Sequence, residues 1–87
     1  MTSISDNDQN DLLNINQNFA TTLKVLRKEK GLTQHNLREK SGLSLRMISD
    51  LECGIRQPTL GTLFKLAKGL NISMSELIER LLKEMDL

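Results

Sequence analysis

The chain has 87 residues, 12 Lys or Arg against 11 Asp or Glu, and a formal net charge of +1. That length holds one small domain, which buries only about 60–65% of the surface its unfolded form exposes. With one Cys and one His, an internal disulfide and a four-ligand zinc site from a single chain are excluded, leaving a partner subunit as the way to reinforce a small core.

Residues 1–14 are rich in Asn, Asp, Gln and Ser with little apolar periodicity, which predicts an acidic, disordered N-terminal tail. Residues 15–87 read as one helical domain. Asn14 is a candidate N-cap, and Ile15, Phe19, Leu23 and Leu26 give the first helix its apolar stripe. The helix should stop at Gly31, where a positive φ costs glycine little. Thr33 opens a short second helix, about Gln34–Lys40, anchored by Leu37. Ser41-Gly42-Leu43 is a tight turn. Ser44 caps a third helix from Leu45 to about Cys53, with Ile48 and Leu51 inward, and Gly54 ends it. Pro58 disfavours helical backbone at Gln57. Thr59 then caps a fourth helix to about Leu70, with Leu60, Leu63, Phe64 and Ala67 inward. Ser73 caps a fifth, Glu76 is placed to complete a capping box, and the stripe is Met74, Leu77, Ile78, Leu81, Leu82 and Met85. No two-residue alternation is long enough for a strand, so the fold class is all-α with five helices.

The near-zero charge is a cancellation. Residues 1–18 carry three Asp and no Lys or Arg, net −3. Residues 19–70 carry ten basic residues against four acidic ones, net +6, and residues 71–87 two against four, net −2. A basic centre between acidic ends suggests a polyanion-facing surface, although for charge alone a solvated helical face is usually the better reading.

The stretch Thr33–Gly54, TQHNLREKSGLSLRMISDLECG, is a capped helix, a Ser-Gly turn and a second capped helix. That is the layout of a helix-turn-helix, whose second helix enters the DNA major groove. Here the chain resembles the lambdoid-repressor and Cro-type helix-turn-helix proteins, the XRE family. The resemblance runs from about Phe19 to Leu77 through LRKEKGLTQ, SGLS at 41–44, IS-x-LE-x-G at 48–54, R-x-PTL at 56–60 and LFKLAKGLNIS at 63–73. It implies a compact five-helix, lambda-repressor-like DNA-binding domain. Free-standing domains of this size resemble phage repressors and the controller proteins of restriction–modification systems.

The resemblance also implies roles. Thr33 and Gln34 match positions at the start of the first motif helix, where the family's glutamine bonds a DNA phosphate and buttresses the reading helix. Ser44, Leu45, Arg46, Ser49 and Asp50 match positions facing the groove. Arg46 is the candidate for bidentate recognition of guanine, worth roughly 1–3 kcal/mol of discrimination. Arg56 matches a position that contacts phosphate or the minor-groove edge. Arg27 and Glu52 match a structural ion pair. Relatives usually place Ala where this chain has Arg38, which must therefore carry its head out to solvent or backbone, and Ala or an apolar residue where it has Ser41.

Other residues read more plainly. Cys53 is expected as a semi-buried packing residue and His35 as a solvated one, while Glu76 and Glu79 solubilise the last helix. No metal, cofactor or catalytic motif is present, so no enzyme is expected. The fifth helix has more apolar residues than a small core needs, which makes it, over about 73–86, the expected dimerisation helix, with Leu77, Ile78, Leu81, Leu82 and Met85 at the interface. The resulting expectation is a homodimeric transcription regulator, a repressor by type, binding double-stranded DNA at a near-palindromic operator. It would be cytoplasmic and nucleoid-associated, without a membrane, acting by blocking or touching RNA polymerase. The alternative is a protein-binding module, such as an antitoxin or antirepressor partner, built on the same fold.

Overall fold

The structure, a computed structural model, describes the backbone of residues 6–86 and the side chains of 14–86. Five helices follow in order: α1 (Asp6–Glu29), α2 (Gln34–Ser41), α3 (Leu45–Glu52), α4 (Leu60–Leu70) and α5 (Met74–Glu84), with no strand among the described residues. Each helix after α1 starts at a hydroxyl cap. Thr33, Ser44, Thr59 and Ser73 are extended and each accepts a hydrogen bond from the backbone N–H three residues on, satisfying a donor the helix cannot. The reciprocal capping box forms at Thr33 and Asn36. At Ser73 only the serine half is made, which corrects the expectation for Glu76. Asn36 completes its box with a side-chain amide oxygen accepting from the Thr33 N–H at 3.0 Å.

The first helix begins at Asp6. The expectation of disorder up to residue 14 is therefore corrected for 6–14, and Asn14 lies inside the helix instead of capping it; residues 1–5 are outside the described residues. Extending an existing helix fixes one residue per new hydrogen bond and needs no new nucleus, so a polar segment can propagate from a packed one. At the other end Gly31 takes φ +68°, and the Leu32 N–H closes back on the Arg27 carbonyl at 3.0 Å.

The core is a single cluster. Phe19, Leu23 and Leu26 of α1, Leu37 of α2, Ile48 and Leu51 of α3, Leu66, Ala67 and Leu70 of α4 and Leu77 of α5 are all buried in it. The fourth helix sits in a different phase from that expected. Leu66, Ala67 and Leu70 face inward and Leu63 is half-buried, while Leu60 and Phe64 are exposed. The stripes 60/63/64/67 and 63/66/67/70 are both helical on one sequence. The close approach of α4 to α2 selects the second. A Cβ on Gly69 would lie 2.9 Å from Ser41 Cβ and 3.1 Å from Ser41 Cα. Only a glycine in α4 against a small residue in α2 permits that crossing, and it brings 66 and 70 inward with 69. Ser41 is buried and its hydroxyl accepts from the Leu43 N–H at 3.1 Å. Among the described residues no helix is long and apolar enough to cross a membrane.

Candidate nucleic-acid interface

Between α2 and α3 the chain turns through Gly42, φ +80°, a left-handed conformation that costs glycine little and a larger residue more. This sets α3 across α2 and leaves one long side of α3 uncovered. Ile48, Leu51 and Glu52 are buried on the inner side. Arg46 is exposed on the outer side, with Leu45, Ser49 and Asp50 partly exposed beside it and exposed Ser44 at its N-terminal cap. An α-helix with its side chains is about 10–12 Å across, which fits a major groove about 12 Å wide.

The inner side of α3 is held by charge as well as by packing. Arg27 Nε donates to Glu52 Oε2 at 2.6 Å and Arg27 Nη2 to Glu52 Oε1 at 3.0 Å. Arg27 Nη1 donates to the Leu32 carbonyl at 2.7 Å. Gln34 Nε2 adds a further bond to Glu52 Oε1 at 3.2 Å. One buried carboxylate thus ties α1, the α1–α2 loop and α2 to the end of α3. The hydrogen bonds from Arg27 to Glu52 raise the guanidinium's pKa above the usual arginine value, against the opposing effect of burial. Gln34, placed by resemblance at a phosphate contact, is seen buttressing α3 through Glu52.

The outer side carries a second, looser cluster. Arg56 Nη2 lies 3.4 Å from Asp50 Oδ2, and Arg46 Nε lies 3.9 Å from the same oxygen. One carboxylate thus lies between two arginines on the exposed edge of α3, hydrogen-bonded to Arg56 and in looser ion-pair range of Arg46. An open hollow of about 420 Å³ lies beside the turn, lined by Arg38, Glu39, Gly42, Leu43 and Ser44. Arg38 is exposed there, with its charge in solvent as its position required. Thr33 sits at the α2 cap, away from Arg46 in sequence but on the turn leading into the same motif. His35 is exposed. Cys53 is exposed too, which corrects its expected packing role: it is the residue that caps α3, past the last inward position.

The expected dimer residues separate into two groups. Leu77 is fully buried by its own chain, so it has no surface left for a partner and is removed from the interface. Leu81 and Met85 are half-buried, and Ile78 and Leu82 are exposed. Two features had no counterpart in the sequence reading. Arg80 bonds Glu29 with two hydrogen bonds, of 3.0 and 2.6 Å, fastening α5 to the end of α1. Ile55, Leu60 and Phe64, in the loop before α4 and in its first turns, are large apolar residues left mostly exposed. The phase of α4 signals the second; no sequence pattern signals the first.

A helix pair crossing at a glycine turn, with the second helix anchored inside by a saturated carboxylate and carrying arginine outside, defines a helix-turn-helix protein. A helix-turn-helix family model matches residues 23–77, and the chain belongs to that XRE-type family. It is 45% identical over 64 residues, 74% of this chain and 78% of the relative, to the uncharacterized HTH-type transcriptional regulator y4dJ of Sinorhizobium fredii. It is 37% identical over 68 residues to the control protein C.SmaI of Serratia marcescens, covering 78% of this chain and 81% of that one. Among solved structures it resembles the restriction–modification controller protein C.Esp1396I, crystallised as a tetramer with its natural 35 base-pair operator. The TM-score is 0.79 at 34% identity, over 84% of this chain and 96% of that one. The five-helix, all-α architecture agrees with that structure.

Proposed function

We propose that this protein is a transcription regulator that binds double-stranded operator DNA as a homodimer, with α3 in the major groove. The observation that carries the reading is the exposed arginine-bearing side of α3, fixed in orientation by Arg27, Gln34 and Glu52. Arg46 reads base edges, with Ser49 and Leu45 beside it and Asp50 holding Arg46 and Arg56 in line. Arg56, Ser44, Thr33 and the Gln34 end of α2 take the phosphates flanking the groove. Likeness to a control protein and to an operator-bound controller supports the same reading.

One helix reads too few base pairs for useful specificity, so a dimer on a near-palindromic site follows, with half-sites about 34 Å apart. The protein acts by binding alone, without catalysis or cofactor, in the cytoplasm at the nucleoid. It represses by occupying DNA that RNA polymerase needs. Selection of duplexes from a random pool by the purified protein tests this. The expected product is an enriched pair of inverted half-sites. A pool that stays random at moderate salt would reject it. A stable complex with another protein that persists in Arg46→Ala would favour the antitoxin-like alternative.

A further inference from the structure

We propose that Asp50 reads a base as well as tethering arginine, and that this base is a cytosine in the pair stacked against the guanine met by Arg46. The inference rests on the reading of α3 as the groove-entering helix and names the sequence chemistry of its target. Three observations carry it.

The first is place. At 3.6 residues per turn, positions 46 and 50 fall on the side of α3 opposite buried Ile48. Asp50 is thus turned away from the core, and what lies against its carboxylate is Arg56 and Arg46. The other carboxylate of α3, Glu52, is buried and takes three hydrogen bonds. Asp50 is therefore the one acid that α3 presents outward.

The second is an unused acceptor. Both arginines approach Oδ2, Arg56 Nη2 at 3.4 Å and Arg46 Nε at 3.9 Å. Among the described residues none donates to Oδ1. An ionised carboxylate only accepts, through about four lone-pair sites, so Asp50 keeps acceptor capacity free on the side that meets DNA. Close to phosphates a carboxylate is repelled unless a donor faces it. Tethering two arginines accounts for Oδ2; a donor on the DNA accounts for the rest.

The third is the chemistry of base edges. In the major groove cytosine shows its N4 donor, guanine shows acceptors at N7 and O6, thymine an acceptor at O4, and adenine an N6 donor beside an N7 acceptor. A carboxylate facing the groove is satisfied by cytosine, meets only acceptors at guanine or thymine, and is opposed by N7 at adenine. Arg46 has the matching requirement for guanine. Their Cα atoms stand about 6 Å apart along the helix, and their side chains converge to 3.9 Å. That separation is close to the stacking distance of about 3.4 Å between base pairs, so the two side chains reach neighbouring pairs. α3 thus selects a guanine and a cytosine in adjoining pairs of each half-site.

Selection of duplexes from a random pool by the full chain tests the proposal, with wild type, Arg46→Ala, Asp50→Ala and Asp50→Asn compared and helix content checked by circular dichroism. The wild-type half-site should hold a guanine that Arg46→Ala no longer selects, and a cytosine in the adjoining pair. Wild type should favour that cytosine over thymine by at least about tenfold. In Asp50→Ala the preference at that pair should vanish while the other positions keep theirs. Asp50→Asn keeps the side chain's shape, so it carries the test if the alanine variant misfolds. It should move the preference from cytosine to adenine, which an amide bonds at N6 and N7. A half-site unchanged in both Asp50 variants, a preference lost evenly at every position, as a tether alone would give, or an Asp50-dependent pair that is not cytosine in wild type would overturn the proposal. A wild-type pool that stays random would reject the DNA reading itself, and the inference with it.

Discussion

The α1–α3 side of the molecule and its α4–α5 side use polar and apolar groups in opposite ways. On the first, a carboxylate is taken into the interior and supplied with three hydrogen bonds from two other elements. On the second, Ile55, Leu60 and Phe64 are left mostly in solvent, and Ile78 and Leu82 partly so. A buried charge is a poor way to gain stability over an apolar core, but once present it penalises any arrangement that leaves it unpaired. It therefore fixes one orientation of α3. Exposed apolar area penalises nothing internal, so it fixes no orientation. The α1–α3 side thus specifies the angle of α3.

The largest effect should come from breaking the polar side. Glu52→Ala leaves the Arg27 guanidinium and the Gln34 amide without their acceptor and should cost about 3–5 kcal/mol, read by urea denaturation. Gly69→Val tests the packing that sets the α4 phase. It pushes a branched side chain toward Ser41 and Leu37, with the first atom already at 2.9–3.1 Å, and overpacking of this kind costs about 1–3 kcal/mol, visible as a lowered denaturation midpoint. Arg46→Ala should leave stability unchanged within about 0.5 kcal/mol. It should reduce discrimination at one base pair of each half-site by about 1–3 kcal/mol, measured by competition with single-base operator variants.

The smallest effect concerns Glu29. Its hydrogen bonds from Arg80 hold the carboxyl below the ordinary value of 4.5. A carboxyl depressed on folding contributes stability above its unfolded value, and loses that contribution as pH falls through its lower folded value. Because the pair is exposed, the tie orients α5 with little effect on stability. In an NMR titration the Glu29 midpoint should lie below 4.5 and move up toward it in Arg80→Ala.

Much of this was legible in the residues alone, because the signals were local. Thr33, Ser44, Thr59 and Ser73 mark helix starts through one backbone hydrogen bond each, and Gly31, Gly42 and Gly54 mark ends or turns through positive φ. The Arg27–Glu52 pairing and the groove-facing positions of α3 came from the resemblance, not from periodicity. What stayed hidden depends on distant contacts. The phase of α4 is decided by Gly69 meeting Ser41 on another helix, and two helical stripes fit its sequence equally well. The same ambiguity moved Leu60 and Phe64 from core to surface. The start of α1 was missed because residues 6–14 carry no apolar stripe, although acidic residues at 6 and 8 suit the positive end of a helix dipole. Cys53 was misplaced because burial one residue past a helix end follows no period.

The most direct measurement is the affinity of the wild-type chain and of Arg46→Ala for the selected operator and for random duplex, across a salt series. Wild type should prefer the operator by at least about 10³-fold, with affinity falling steeply as salt rises. Arg46→Ala should lose most of that preference while retaining salt-dependent binding to random DNA. Equal wild-type affinity for both duplexes, or a preference untouched by Arg46→Ala, would contradict the assignment of α3 as the reading helix.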